Sequence, residues 1–152
     1  MHLIELCTFD LIMQSSMKTK GEPVLETHSK IMGVTILDIT QDGVKMQING
    51  TGQSKGKYNS NDMSTTTVVN KVDGTSTWES KGIQNTHDGE MLVTWGSGTG
   101  KPTGPGSSSW EGEMHIMTQS SKLGWMNNAK FWVEGSGDMA KGESHAKIFQ
   151  QM

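Results

Sequence analysis

Apolar and polar residues alternate with a period of two along most of this chain, in short runs broken by turn residues. The clearest run covers residues 107–118, where Trp110, Gly112, Met114 and Ile116 fall on one face and Glu111, Glu113, His115 and Met117 on the other. A two-residue period is that of an extended strand, whose side chains point alternately to opposite sides. Similar runs place strands at 23–29, 31–40, 43–51, 63–71, 75–83, 90–98, 107–118, 129–136 and 143–150. The separators are Asp42-Gly43, Asn49-Gly50, Asp73-Gly74, Asp88-Gly89 and Gly135-Ser136-Gly137. Asp-Gly and Asn-Gly accept the positive φ of tight hairpin turns, so successive strands are expected to pair as an antiparallel, up-and-down meander. Residues 119–128 read as a short turn of helix, and residues 2–13 fit helix and strand equally well.

Glycines at spacing two, Gly50 and Gly52, Gly96, Gly98 and Gly100, Gly135 and Gly137, sit in or beside these runs. Glycine within a strand marks a bulge, a bend or a close approach of backbones, and such kinks let a sheet curl and close. The expected fold is therefore all-β: a single antiparallel up-and-down barrel of about eight strands, with little helix. Such a barrel has an interior just wide enough for side chains or for one small ligand. Residues 1–152 are expected to form one domain, with residues 1–17 as an N-terminal extension.

Composition narrows the partners. Hydrophobic residues make up 32% of the 152, and 19 glycines fit a turn-rich β protein with one core. Five tryptophans and a net charge of only -3 argue against disorder. All 13 basic residues are lysine, and they are scattered singly. Without arginine the chain lacks the planar fork that reads phosphates and guanine edges, and it has no basic stripe, so no nucleic-acid partner is expected. Cys7 is the one cysteine, which excludes an internal disulfide and reads as a small buried hydrophobe. The apolar residues 1–13 are interrupted by Glu5 and Asp10 and lack a basic start and a small-residue cleavage site, unlike a secretory signal. No run approaches the ~18–20 apolar residues of a membrane span. A cytoplasmic protein with no membrane partner is expected.

Several motifs carry candidate chemistry. Residues 96–103, GSGTGKPT, resemble a phosphate loop, but the first required glycine falls at Trp95 and Pro102 separates Lys101 from Thr103. The segment also lies between two strands, where the nucleotide motif lies between strand and helix. It reads as a barrel-end loop. Residues 135–140, GSGDMA, match a dinucleotide motif only as letters, since they fall in a hairpin.

Glu113 and His115 share one strand face, about 7 Å apart at ~3.4 Å per residue. Facing a cavity they would form a general acid/base set; facing solvent they are an ordinary polar exterior. The Trp110, Gly112, Met114, Ile116 face is the more natural inner one. Glu26 and His28 repeat the spacing and share their face with Val24, a mixture that suits a cavity wall or a strand end entering water. No H-x-H, H-E-x-x-H or C-x-x-C spacing is present, so no metal and no cofactor are expected. The 12 methionines read as gap-filling in an irregular core or an adaptable pocket. Trp78, Trp95, Trp110, Trp125 and Trp132 fall in or beside strands. Trp95, at the end of its strand beside the glycine-rich loop, is the foremost ligand-contact candidate, joined by Trp78, Trp110 and Met114.

Four segments resemble a widespread bacterial and archaeal group of small, uncharacterised proteins related in pattern to the allene oxide cyclase-like barrels. They are GTGQSKG from Gly50, DGEMLVTW from Asp88, GKPTGPG from Gly100 and TQSSKLGWMN from Thr118. The chain departs at Trp110-Glu111-Gly112, where the group has an aromatic-Arg-Gly, and at residues 147–151, which lack the group's Trp ending. The resemblance implies an allene oxide cyclase-like barrel with a cavity, without fixing a reaction. The expected function is binding of a small, largely apolar molecule in that cavity. The alternatives are a cyclase or isomerase, with Glu113, His115, Glu26 or His28 moving a proton, and a structural, homo-oligomeric barrel with a filled interior. An open or packed interior separates them.

Overall fold

The computed structural model describes residues 21–151, so the expectations for residues 1–17 and Cys7 lie outside the described residues. Eight strands follow in order: β1 Pro23–Thr40, β2 Gly43–Gly56, β3 Ser60–Lys71, β4 Ser76–Thr86, β5 Met91–Gly104, β6 Ser107–Thr118, β7 Phe131–Asp138 and β8 Glu143–Gln150. Each pairs antiparallel with the next, and β8 pairs with β1, closing an up-and-down barrel. The expected fold class is the observed one.

Closure requires the strands to tilt and their register to stagger. Residue pairing shows the stagger directly: a ladder that starts at Leu25 runs through Ile148, Val133, Gly112, Gly98, Trp78, Val68 and Met46, and returns to β1 at Ile36. All of these positions face inward.

Three boundaries differ from the sequence expectation. The runs 23–29 and 31–40 form one strand, β1, bent by a register shift between Ile31 and Gly33. Asn49-Gly50 and Gly135-Ser136-Gly137 are mid-strand, not turns, because their glycines give neighbours room and do not reverse the chain. The Gly-Lys-Pro-Thr segment is strand too, since β5 pairs with β6 as far as Gly104 and the turn falls at Pro105-Gly106, where Gly106 adopts φ 72°.

The helix expected at 119–128 shortens to a 3-10 turn, Gly124–Asn128. The segment before it is held by side chains. Thr118 N donates to Asn127 Oδ1 at 2.8 Å and Asn127 Nδ2 donates to Thr118 O at 3.0 Å. Ser120 N donates to Thr118 Oγ1, Leu123 N to Ser120 Oγ, and Lys122 pairs with Asp88 at 2.9 Å. Thr118, Ser120, Lys122, Leu123 and Asn127 thus each hold part of this segment in place, and together they fold it into a lid over one barrel end.

Under that lid the barrel is packed. Leu25, Tyr58, Leu92, Ile116, Leu123, Met126, Phe131 and Ile148 are buried, each large apolar side chain contributing about 1.5–3 kcal/mol. The opposite end carries the hairpin turns between β1 and β2, β3 and β4, β5 and β6, and β7 and β8. There Val34, Ile36 and Ile39, paired with Ile48, Met46 and Val44, remain 43%, 61% and 68% exposed. One end of the barrel is closed and the other is apolar and open. Among the described residues, no helix is long and apolar enough to cross a membrane.

Candidate functional site

The open half of the barrel contains two adjoining chambers. The upper one, about 390 Å³, is bordered by Ile31, Met46, Ile48, Val68, Trp78 and Trp110 together with hairpin residues of the open end. The inner one, about 180 Å³, reaches Thr27, Asp62, Gln84, Thr94, Met114 and Val133. Ile31, Ile48, Thr66, Trp78, Ser80 and Trp110 border both.

Glycines on nearby strands, one and two strands away, seat the two indoles at the waist. Trp78 lies over Gly112, where an added Cβ would come within 2.7 Å of Cζ2, and Trp110 lies over Gly135 still more tightly. The rings meet edge to face, centroids 5.6 Å apart at 75°. Trp78 Nε1 donates to Thr99 O at 3.2 Å, so its polar atom is satisfied at the wall while its carbon surface faces the chambers.

Below the waist lies a polar cluster. The Asp62 carboxylate, on the inner face of β3, accepts from Ser60 Oγ at 2.6 Å, from Ser54 Oγ and from Gln84 Nε2 at 3.4 Å. Ser54 Oγ is 2.8 Å from Thr27 Oγ1 and accepts from Gln84 Nε2 at 3.2 Å. Tyr58 donates its hydroxyl to Gln84 Oε1. Burial, reinforced by the charge of Asp62, drives the Tyr58 phenol far above its ordinary pKa, so it stays a neutral donor.

Of the ligand candidates, Trp78, Trp110 and Met114 line the chambers. Trp95 borders the inner chamber as well, between Thr94 and Gly96, but with its ring on the outer face of β5. Thr94 and Gly96 take the inner positions of β5, leaving Trp95 outside, 43% exposed and stacked on His115 at 5.4 Å. Glu113 and His115 lie on the outer face of β6, because Gly112, Met114 and Ile116 take the inner one. On β1 the inner face belongs to Leu25, Thr27, Ser29 and Ile31. Glu26 therefore points outward, 3.6 Å from Lys147, and His28 stacks on His145 at 4.2 Å. Both Glu/His pairs lie on the outer wall, outside the chambers.

A wider concavity, about 1050 Å³, is bordered by His28, Lys30, Thr51, Lys141, Glu143 and His145 of that wall and reaches Asp62 and the inward-facing Ser29 and Ser144. It is wide open and bordered mostly by polar residue types, so the interior remains the better place for an apolar ligand. Among the described residues, no three of His, Cys, Asp and Glu converge as a metal site.

The Asp62 cluster is absent from the sequence expectation. A strand beginning at Met63 starts one residue too late to show that Ser60, Asp62, Ser64 and Thr66 share a face with Val68.

No family model and no curated protein matches the chain. Solved structures do. A protein of unknown function from Clostridium acetobutylicum superposes with a TM-score of 0.78 at 15% identity, covering 86% of this chain and 97% of that one. A conserved protein of unknown function from Rhodopseudomonas palustris gives 0.75 at 14% identity, covering 86% and 95%. A beta-barrel like protein from Acinetobacter baumannii gives 0.71 at 16%, covering 86% and 94%. An enzyme from Penicillium herquei gives 0.57 at 18%, covering 83% and 94%. At these identities the likeness is one of fold.

Proposed function

We propose that the protein binds a small, largely apolar molecule in the open half of its barrel, within an allene oxide cyclase-like architecture. The observation that carries this is an interior left unfilled although Ile31, Met46, Ile48, Val68, Trp78 and Trp110 border it. A barrel with a purely structural role would be expected to fill such a space, because cores pack to crystal-like density. The cyclase or isomerase reading has weaker support. Its proposed proton carriers, Glu113, His115, Glu26 and His28, sit on the outer wall, and the fold-level likeness to a fungal enzyme transfers no chemistry. The outward-facing Glu26, Lys30, Gln53, Lys55, Glu111 and Glu113 oppose a lipid-facing barrel.

Fluorescence titration with the neutral probe N-phenyl-1-naphthylamine tests the proposal. Saturable one-to-one binding is expected, weakened about tenfold or more by Val68→Trp, which fills the upper chamber. Absence of saturable binding, or equal binding by a folded Val68→Trp variant, overturns it.

A further inference from the structure

We propose that the molecule bound in the chambers carries a cationic amine and that the Asp62 carboxylate receives it. This rests on the cavity-binding function proposed above and names the chemical class of its ligand.

Asp62 borders the inner chamber and the wide concavity beside it, as does Lys30, but Lys30 sits at an outward-facing position of β1, and the inward-facing strand positions of the described residues hold no charged side chain besides Asp62. Its three hydrogen-bond donors, Ser54, Ser60 and Gln84, are all neutral. Among the described residues, no lysine or histidine pairs with it: Lys122 is taken by Asp88 and Lys147 by Glu26, both on the outside. The carboxylate has about four lone-pair sites, so three donors leave roughly one open. They orient the group without cancelling its charge.

A negative charge in a partly enclosed, apolar chamber favours a cation more strongly than it would in water, because the local dielectric is lower. An ionised carboxylate accepts hydrogen bonds and donates none, so a ligand carboxylate or phosphate would be repelled. Trp78 and Trp110 border the same chamber and offer aromatic surface, which ammonium groups also favour. The chamber therefore has an anionic inner end and, above it, a wall of Ile31, Met46, Ile48, Val68, Trp78 and Trp110 with Lys101 and Asp138 at the mouth, complementary to an amphipathic amine with its hydrocarbon part toward the open end.

Octylammonium, octanol and octanoate, matched in chain length, are to be competed against N-phenyl-1-naphthylamine on the wild-type protein and on Asp62→Asn. The expected order in the wild type is octylammonium about tenfold tighter than octanol, with octanoate weakest. Asp62→Asn should bring octylammonium to within about threefold of octanol and leave octanol unchanged. Equal binding of octylammonium and octanol by the wild type, or an amine preference that survives Asp62→Asn, overturns the inference while leaving cavity binding intact. If neither the naphthyl probe nor any of the octyl compounds binds, cavity binding fails and the amine assignment fails with it. Should Asp62→Asn not fold, the head-group order in the wild type decides.

Discussion

Gly135→Ala tests whether the glycines on the inner wall exist to seat the indoles. A Cβ at Gly135 would lie 2.5 Å from Cη2 and 2.6 Å from Cε2 of Trp110, and closer still to Cζ2. Carbon atoms rest about 3.5–4.0 Å apart, so the ring would have to retreat by roughly 1 Å or more. A retreat of that size would disturb the edge-to-face contact with Trp78. Overpacking costs about 1–3 kcal/mol, the lost aromatic pair about 0.5–1.5, and the replaced strand glycine returns about 0.5–1, leaving a net loss of about 0.5–4 kcal/mol. Near the middle of that range Tm falls by roughly 4–8 °C. Guanidinium unfolding followed by tryptophan fluorescence measures the loss, and near-UV circular dichroism reports the separated indoles. In a Trp110→Leu background the same Gly135→Ala change should cost less than about 0.5 kcal/mol, since the clash is gone. An equal cost in both backgrounds refutes the seating argument.

Tyr58→Phe should destabilise the protein by about 1–3 kcal/mol, because Gln84 Oε1 loses its buried donor. The raised pKa of Tyr58 stabilises the fold fully below the unfolded value of about 10, and this contribution is lost as pH rises toward the folded value. The alkaline limb of the stability curve should therefore flatten in Tyr58→Phe. Tyrosinate absorbance of the wild type, whose one tyrosine is the only contributor, should appear only as the barrel unfolds; a normal phenol titration in the folded state would contradict this. Replacing Glu113 and His115 together by Gln and Phe should leave binding of N-phenyl-1-naphthylamine within about threefold of wild type, since both face outward. A larger loss in a folded variant would place them in the site.

Much of the barrel is legible in the sequence. The period of two around Trp110 picks out the inner face of β6, and with it Trp110 and Met114. The Asp-Gly pairs at Asp73 and Asp88 mark real turns, with Gly74 and Gly89 at φ 90° and 88°. Glycine has a second use, however, and the sequence does not label which applies. Gly135 resembles a turn residue, yet it lies mid-strand because the Trp110 indole needs its missing Cβ. Trp95 shows a related limit: it is a chamber-bordering residue chosen for its place beside the glycine-rich segment, yet that segment continues β5 as strand and the alternation of β5 turns its ring outward. Asp62 is hidden because its value depends on long-range partners: Ser54, Tyr58 and Gln84 come from β2, the following turn and β4. No local pattern brings them together.

The open interior is tested most directly by methyl NMR of the isoleucines and methionines during titration with N-phenyl-1-naphthylamine. Ile31, Met46, Ile48 and Met114 border the chambers, while Met32, Met91 and Met117 are exposed and border neither. Saturable shifts in the first group and not in the second are expected, large because the probe is aromatic. Shifts confined to Met32, Met91 and Met117, or none that saturate, would contradict a ligand-binding barrel.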